Sequence, residues 1–350
     1  VEKNLFIISN YLSNKVKNIS LITCSLNFKK RFNNKIKFIS PKYNFWDNMN
    51  RKFKYIICIY LLIKTIIKEK NILVFSFQAN IYSSIICKLF NIKIIIRSNS
   101  SPTGWSTNIF KRIVFTNFYK FANENIVNSE KFKDELNKKF NIKSICIYNP
   151  LDLKIIKEKS NKKIRKKIYK TRNSLKLINI GRLTYQKDQF TLLKAAKILK
   201  KNINFELLII GSGSDYHGIK KYIFENKLRK FVKILNFQKN PYPYIRASDI
   251  FILSSRYEGL PNVLLESLAL KKFVISSNCP TGPAEILDGG KGGLLFKVGD
   301  HKDLVKKINY FLKNKKICEK KIKFSQKRLI RFDLNFNLDK YYKIIKKYLH

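Results

Sequence analysis

The segment Ser255-Arg256-Tyr257-Glu258-Gly259-Leu260-Pro261-Asn262-Val263-Leu264-Leu265-Glu266 follows the apolar, β-branched run Ile250–Leu253. A short apolar run, a glycine and a proline, then leucines at helical spacing over Asn262–Leu270 read as strand, turn and helix. Pro261 stands where a first helical residue belongs. The helix then turns its unpaired N–H groups toward whatever the glycine turn approaches, and such an end favours a phosphate. Glu258 precedes the helix and Glu266 lies within it on an expected exposed face, with seven residues between them. Two carboxylates so placed can accept hydrogen bonds from hydroxyls at two points of an elongated ligand. A helix cap for Glu258 and a lysine partner for Glu266 would explain either carboxylate singly, and the twelve-residue segment less well.

Working outward, the same strand–turn–helix unit recurs along the whole chain. Strands are predicted at Ile19–Thr23, Lys35–Ile39, Ile72–Ser76, Lys93–Arg97, Asn125–Val127 and Ser144–Tyr148, with helical stretches such as Asn80–Phe90 and Ser129–Phe140 between them. After Asn149-Pro150 and a lysine-rich stretch, strands are expected again at Leu175–Ile180, Phe205–Ile210, Val232–Leu235, Ile250–Leu253, Phe273–Ser276 and Gly293–Phe296. Such alternation specifies parallel sheets covered on both faces. The expected organisation is α/β, with two Rossmann-like parallel-sheet domains facing a central cleft. Residues 1–152 form the first, 153–172 a basic connector, 173–332 the second, and 333–350 a terminal helix that packs back on the first. Val1 opens within a helical stripe of Leu5, Ile8 and Leu12, with no strand or glycine turn before it, so the first strand of that domain is expected to be missing.

A second polar constellation follows strand Leu175–Ile180: Gly181-Arg182-Leu183-Thr184-Tyr185-Gln186-Lys187. Glycine permits a sharp turn at the strand's carboxyl end, and two cations five residues apart suit a diphosphate whose charge grows as a bond to it breaks. Taken alone the pair also fits a surface loop. Gly211-Ser212-Gly213 after the next strand is weaker still, because α/β loops commonly use glycine.

Composition narrows the alternatives. The 350 residues are 45% hydrophobic, ordinary for a folded protein. No run approaches the ~18 apolar residues of a spanning helix; Lys64 interrupts the closest, which starts at Tyr55. Six scattered cysteines without a C-x-x-C pair argue against zinc and against a disulfide framework. Three histidines leave little material for a Ser-His-Asp or two-histidine metal site. The net charge of +49 would attract phosphates of nucleic acid, anionic lipid or nucleotide alike. Compositional drift toward Lys, Asn and Ile explains it equally well, and the lysines read mostly as solvated helix faces.

The order G-R-L-x-x-x-K, G-S-G, S-D-I-F-I-L-S-S-R-Y-E-G-L-P-N-V-L-L-E and G-P-A-E-I-L-D-G-G-K-G-G-L-L-F resembles glycosyltransferase family 4, the retaining group with the GT-B fold. The likeness is close over residues 175–330 and looser before them. It implies that Arg182 and Lys187, after Gly181, bind the donor diphosphate, that Glu258 contacts the transferred sugar, and that Glu266 meets the ribose. Gly259, Leu260, Pro261 and Asn262 would face the phosphates and sugar, and Asn236-Phe237-Gln238 the base. Glu258, Arg182 and Lys187 are the catalytic set it implies. Asn278-Cys279-Pro280-Thr281-Gly282-Pro283 resembles a version found in members that transfer N-acetylhexosamines, which points to a UDP-sugar donor; Gly282, Pro283 and Glu285 could assist. The resemblance further implies retention without a metal or other cofactor, and a glycan or lipid-linked acceptor of cell-surface polysaccharide or lipopolysaccharide synthesis. A cytoplasmic enzyme lying peripherally on the inner, anionic face of the cell membrane is expected.

Two departures accompany the likeness. Val1-Glu2-Lys3 looks like the tail of a G-G-x-E motif whose glycines are not in the chain, and Ile96–Pro102 has no histidine where many members carry one. The rival readings are an inactive nucleotide-sugar-binding fragment and a nucleic-acid-binding protein. No recognisable nucleic-acid motif appears, so no nucleic-acid partner is expected.

Overall fold

The computed structural model describes residues 2–42, 45–46, 49–99, 108–164, 168–171 and 173–349. Val1, Ser100 to Pro102 and parts of the lysine-rich stretches lie outside them. The chain divides into two compact units, Val1–Pro150 with Leu334–His350, and Leu151–Asp333.

The first unit runs α1 (Glu2–Leu12), β1 (Ser20–Ile22), β2 (Lys37–Ile39), α2 (Arg51–Lys68), β3 (Leu73–Ser76), α3 (Asn80–Leu89), β4 (Lys93–Ser98), α4 (Ile109–Tyr119), β5 (Glu124–Val127), α5 (Glu130–Phe140) and β6 (Ile145–Cys146). The second runs α6 (Leu153–Ser160), β7 (Leu175–Ile180), α7 (Gln189–Leu199), β8 (Phe205–Ile210), α8 (Tyr216–Glu225), β9 (Val232–Leu235), α9 (Tyr242–Arg246), β10 (Ile250–Leu253), α10 (Asn262–Ala269), β11 (Phe273–Ser277), α11 (Pro283–Ile286), β12 (Leu294–Phe296), α12 (His301–Lys313) and α13 (Lys315–Arg328). The last helix, α14 (Leu334–Lys346), returns to the first unit.

All recorded strand pairs are parallel. In the first unit β3-β4-β5-β6 form one sheet and β1-β2 a separate pair. In the second the order is β12-β11-β10-β7-β8-β9. Order reverses about β7 and β10, the position where open α/β sheets bind ligands. The strands are near-continuous Ile, Leu, Val and Phe because both faces are covered. Ile250 to Leu253 and Phe273 to Ser277 are buried throughout. Leu177, Leu207, Ile209, Ile252 and Ile275 meet Leu192 and Leu193 of α7 and Leu304 and Ile308 of α12 in the second unit's core.

In the first unit, Ile8 and Leu12 of α1 pack with Leu338, Tyr341 and Ile345 of α14 on one face of the sheet. Arg97 of β4 is fully buried there. Its Nε donates to the Tyr341 hydroxyl (2.7 Å), and its other nitrogens donate to Asn99 and Asn149.

The stretch expected as a basic connector differs from that reading. Residues 153–160 are helix α6, capped by the Asp152 carboxylate accepting from Ile155 N (2.8 Å), and α6 packs on α9 and α10. The lysines Lys154, Lys157 and Lys159 are exposed while Ile156 is buried, so one apolar position anchors a helix that reads as a charge run.

Candidate active site

Because β11, β10, β7, β8 and β9 are neighbours and parallel, the loops that follow them line one edge of the second unit's sheet in that order. Those loops hold most of the candidate residues. Gly181 begins the loop after β7. Gly211 begins the next, and a Cβ there would stand 1.9 Å from the Gly181 carbonyl oxygen, so the two turns touch backbone to backbone. Leu183 N donates to Ser212 O (2.9 Å) and Asp215 N to Leu183 O (3.0 Å), which fastens the pair.

On the other side the 181–187 loop is fastened to the loop after β10. Arg256 N donates to Gln186 O (2.8 Å), and Gln186 Nε2 donates to Tyr257 O (3.0 Å). Ser254 Oγ donates to Lys187 O (2.9 Å). Lys187 Nζ lies 2.5 Å from Glu258 Oε1, and the Ser255 hydroxyl donates to the same oxygen at 2.6 Å. Glu258 is 8% exposed and Ser255 fully buried. Arg182 stays exposed, with its guanidinium donating to Gln186 Oε1 (3.2 Å).

Sequence reasoning missed three supports of this group. Asp188 is buried with φ +46, caps α7, and pairs with Arg256 at 3.1 Å. Ser277 Oγ donates to Ser255 O (2.6 Å), and Thr281 Oγ1 to Glu258 O (2.5 Å). The short-range signal for Asp188 was the D-x-x-T spacing of a helix cap. The two hydroxyls have none, because their partners lie more than twenty residues away.

The turn Gly259 to Pro261 is buried and leads into α10. Pro261 has φ −71° and ψ 108° and caps the helix, so it stands one position earlier than expected, with Asn262 first in the helix. Gly282 lies against the turn: a Cβ there would be 1.9 Å from Gly259 O. Pro283 and Glu285 follow in α11, Pro283 buried and Glu285 half-buried.

Glu266 departs from its expected exposed face. It is 6% exposed, and Tyr242 of α9 donates its hydroxyl to Oε1 at 3.3 Å. Phe237 is 72% exposed after β9; Gln238 is tied by its own amide to Asn236 O and accepts from Tyr244. Ser212, Gly213, Tyr216, His217, Asn236 and Phe237 line an open hollow of about 460 Å³ at this end of the sheet edge.

Burial, and then the charge of Glu258, pushes the Cys279 thiol up to about 12. The shift favours the thiol over the thiolate at neutral pH. Among the described residues no group of three or more His, Cys, Asp or Glu is placed to hold a metal ion.

An exposed cation, a buried carboxylate paired to a lysine, a buried glycine–proline turn that leads into α10 and an open hollow share one sheet edge. That arrangement can take an anionic head with a polar, hydroxylated extension. Residues 160–328 match the family described as "Glycosyl transferases group 1". An uncharacterized glycosyltransferase of Methanocaldococcus jannaschii is 33% identical over 208 residues, covering 56% of this chain and 51% of its own. The N-acetylgalactosamine-N,N'-diacetylbacillosaminyl-diphospho-undecaprenol 4-alpha-N-acetylgalactosaminyltransferase of Campylobacter jejuni is 27% identical, covering 67% and 65%. The matches thus span about half to two thirds of these relatives. Anabaena Alr3699/HepE in complex with UDP-glucose superposes with a TM-score of 0.78 over 99% of this chain and 95% of that one, at 15% identity. At that identity the likeness establishes the fold, an α/β architecture of two Rossmann-like units of the GT-B kind. Over residues 160–328, which lie within its second unit, this chain is thus similar to the glycosyl transferases group 1.

Proposed function

We propose that the protein is a hexosyltransferase that moves a sugar, an N-acetylhexosamine or hexose, from a UDP-sugar to a glycan or lipid-linked acceptor. The observation that carries this reading is the Lys187–Glu258 pair, fixed at the carboxyl edge of β7 and β10 beside the N-terminus of α10. A diphosphate at that edge competes with Glu258 for Lys187. Its charge is met by Lys187, by Arg182 and by the N–H groups that open α10. The released Glu258 carboxylate accepts hydrogen bonds from the sugar hydroxyls. The hollow beside Phe237 receives the base, and Glu266 the ribose. As the sugar–phosphate bond breaks, negative charge grows on the departing UDP, and the same cations stabilise it more strongly than in the ground state. These groups of the chain neutralise the leaving group, so the reading includes no metal. It also includes retention of configuration, on the strength of the resemblance.

The Campylobacter relative's name includes a diphospho-undecaprenol. By analogy we place the acceptor on a lipid diphosphate at the anionic inner face of the membrane, in cell-surface polysaccharide synthesis. No helix of the described residues is long and apolar enough to cross a membrane.

The test is transfer from radiolabelled UDP-N-acetylglucosamine, UDP-N-acetylgalactosamine and UDP-glucose to a bacterial lipid extract, with and without chelator. Label should enter the lipid phase with chelator present, and Glu258→Gln should slow it by about 10²-fold or more. A chain that binds short DNA more tightly than UDP, and transfers no label, would refute the proposal.

A further inference from the structure

Nine residues other than glycine have positive φ, among the described residues. Five are Asn or Asp, which tolerate the left-handed region. Thr281 is the β-branched one, with φ +67°, and it is 6% exposed. A β-branched residue in this region is a true outlier, and it persists only where its surroundings over-determine it.

Its surroundings do so from two sides. Thr281 Oγ1 lies 2.5 Å from Glu258 O, 2.7 Å from Pro280 O and 3.3 Å from Gly259 O. The next residue, Gly282, comes so near the 259–261 turn that an added Cβ would meet Gly259 O at 1.9 Å and Pro261 Cδ at 2.8 Å. The loop after β11 is thereby clamped onto the turn that carries Glu258. A second line of hydroxyls acts on the same carboxylate. Ser277 Oγ donates to Ser255 O at 2.6 Å, and Ser255 Oγ donates to Glu258 Oε1 at 2.6 Å. Ser255 and Ser277 are fully buried.

We propose that Thr281 is a positioning residue that holds the Glu258 carbonyl, and that with Ser255 and Ser277 it forms a hydroxyl brace aiming the carboxylate at the transferred sugar. The inference rests on the reading of Glu258 given above. When a diphosphate draws Lys187 away, Glu258 loses one of its two side-chain partners. Ser255 and the Thr281-held backbone then keep the carboxylate in place. The strained backbone at Thr281 serves to put its hydroxyl within reach of the turn. The brace acts on the sugar, so it matters for turnover and not for binding of UDP, which lacks the sugar.

The experiment compares Thr281→Ser and Thr281→Ala, which differ from each other by one oxygen, with the wild-type chain. Calorimetry measures the Kd for UDP, and labelled UDP-N-acetylhexosamine measures kcat and KM. Thr281→Ser should stay within about threefold of wild-type kcat. Thr281→Ala should lose tenfold or more in kcat, with its UDP Kd within about threefold. Should Thr281→Ala not fold, Thr281→Gly, whose backbone suits φ +67°, takes its place with the same expectation. Equal kcat for the Ser and Ala variants overturns the brace, and so does a fall confined to the UDP Kd. A wild-type chain that neither binds UDP nor transfers sugar overturns the functional reading first, and the brace with it. An active wild type with an equally active Thr281→Ala overturns the brace alone.

Discussion

Lys187 and Glu258 are partners at 2.5 Å with side-chain exposures of 16% and 8%. A pair so placed is costly to break from one side, since the surviving charge stays buried without its counter-ion. Removing one partner of such a pair costs about 3–5 kcal/mol. Lys187→Met should therefore lower Tm in the absence of nucleotide, and the double variant Lys187→Met, Glu258→Gln should recover much of the loss. Thermal unfolding of the three proteins checks this; equal melting of wild type and Lys187→Met would show that the pair contributes nothing to stability. Glu266 is a different case. It accepts from Tyr242 and is buried, so truncation to alanine would disturb the α9–α10 packing as well as a ligand. Glu266→Gln keeps the volume and the acceptor oxygen while removing the charge. It should weaken UDP binding by about tenfold, as a charge-assisted bond of about 1.5–3 kcal/mol becomes a neutral one. Titration calorimetry with UDP reads this directly, and an unchanged Kd would detach Glu266 from the ribose.

Elements were legible where one physical signal decided them. The runs Leu175–Ile180, Phe205–Ile210, Val232–Leu235 and Ile250–Leu253 fold as read, because a short stretch rich in Ile, Leu, Val and Phe with few polar interruptions has few uses other than a doubly covered parallel strand. The helix at 153–160 was hidden because lysines dominate its composition and Ile156 is its one buried apolar residue, with Ser160 buried beside it. Glu258, Lys187 and Arg182 were visible as residue types in loops after strands. Their braces were not: Ser277, Thr281 and Asp188 act through contacts that have no period, and a left-handed threonine contradicts its own propensity. Glu206, near the start of β8, shows the same hidden order at the strand's other end. Burial pushes its carboxyl up, but hydrogen bonds from Lys170 N and Thr171 N (2.8 Å each) and from Ser174 and Thr171 outweigh it, and the net shift is downward. A carboxyl depressed in the folded state contributes stability that is complete above its unfolded pKa and is lost as pH falls through the folded one. Glu206→Gln should cost about 1 kcal/mol at neutral pH, a modest figure because the group is partly solvated. The cost should vanish in acid. Urea unfolding of both proteins at pH 7 and pH 3 checks the sign; a variant deficit that grows toward pH 3 would contradict it.

At the scale of the whole molecule, the charge of +49 and one helix face point in the same direction. Helix α2 buries Leu62 and Ile66, yet Phe53, Ile56, Tyr60 and Ile67 are 48%, 62%, 62% and 66% exposed. At about 100° per residue these four fall within a stripe about 60° wide, centred about 130° around the helix from the buried pair. Lys52, Lys64 and Lys68 are exposed on the same helix, and α2 has no acidic residue. An apolar stripe flanked by lysines suits the boundary between lipid headgroups and acyl chains. Anionic lipid adds roughly 1 kcal/mol per basic residue near the surface, screened beyond about 10 Å in 0.1 M salt. Charge alone would give binding that any basic protein shows, so the test must separate α2 from the bulk. The variant Ile56→Glu, Tyr60→Glu removes two units from a net charge of +49 and leaves the general attraction nearly intact. It also removes two apolar side chains from the stripe, each worth roughly 1.5–3 kcal/mol if fully buried in lipid. In flotation assays the wild type should bind phosphatidylglycerol vesicles in low salt, bind phosphatidylcholine vesicles weakly, and lose most of its anionic binding in high salt. The variant should partition at least tenfold less onto anionic vesicles while melting like the wild type. Equal partitioning of the two proteins would leave the lysines as a diffuse solvated surface and remove α2 from the membrane reading. Binding of the wild type to neutral vesicles as strongly as to anionic ones would refute the electrostatic half of the argument.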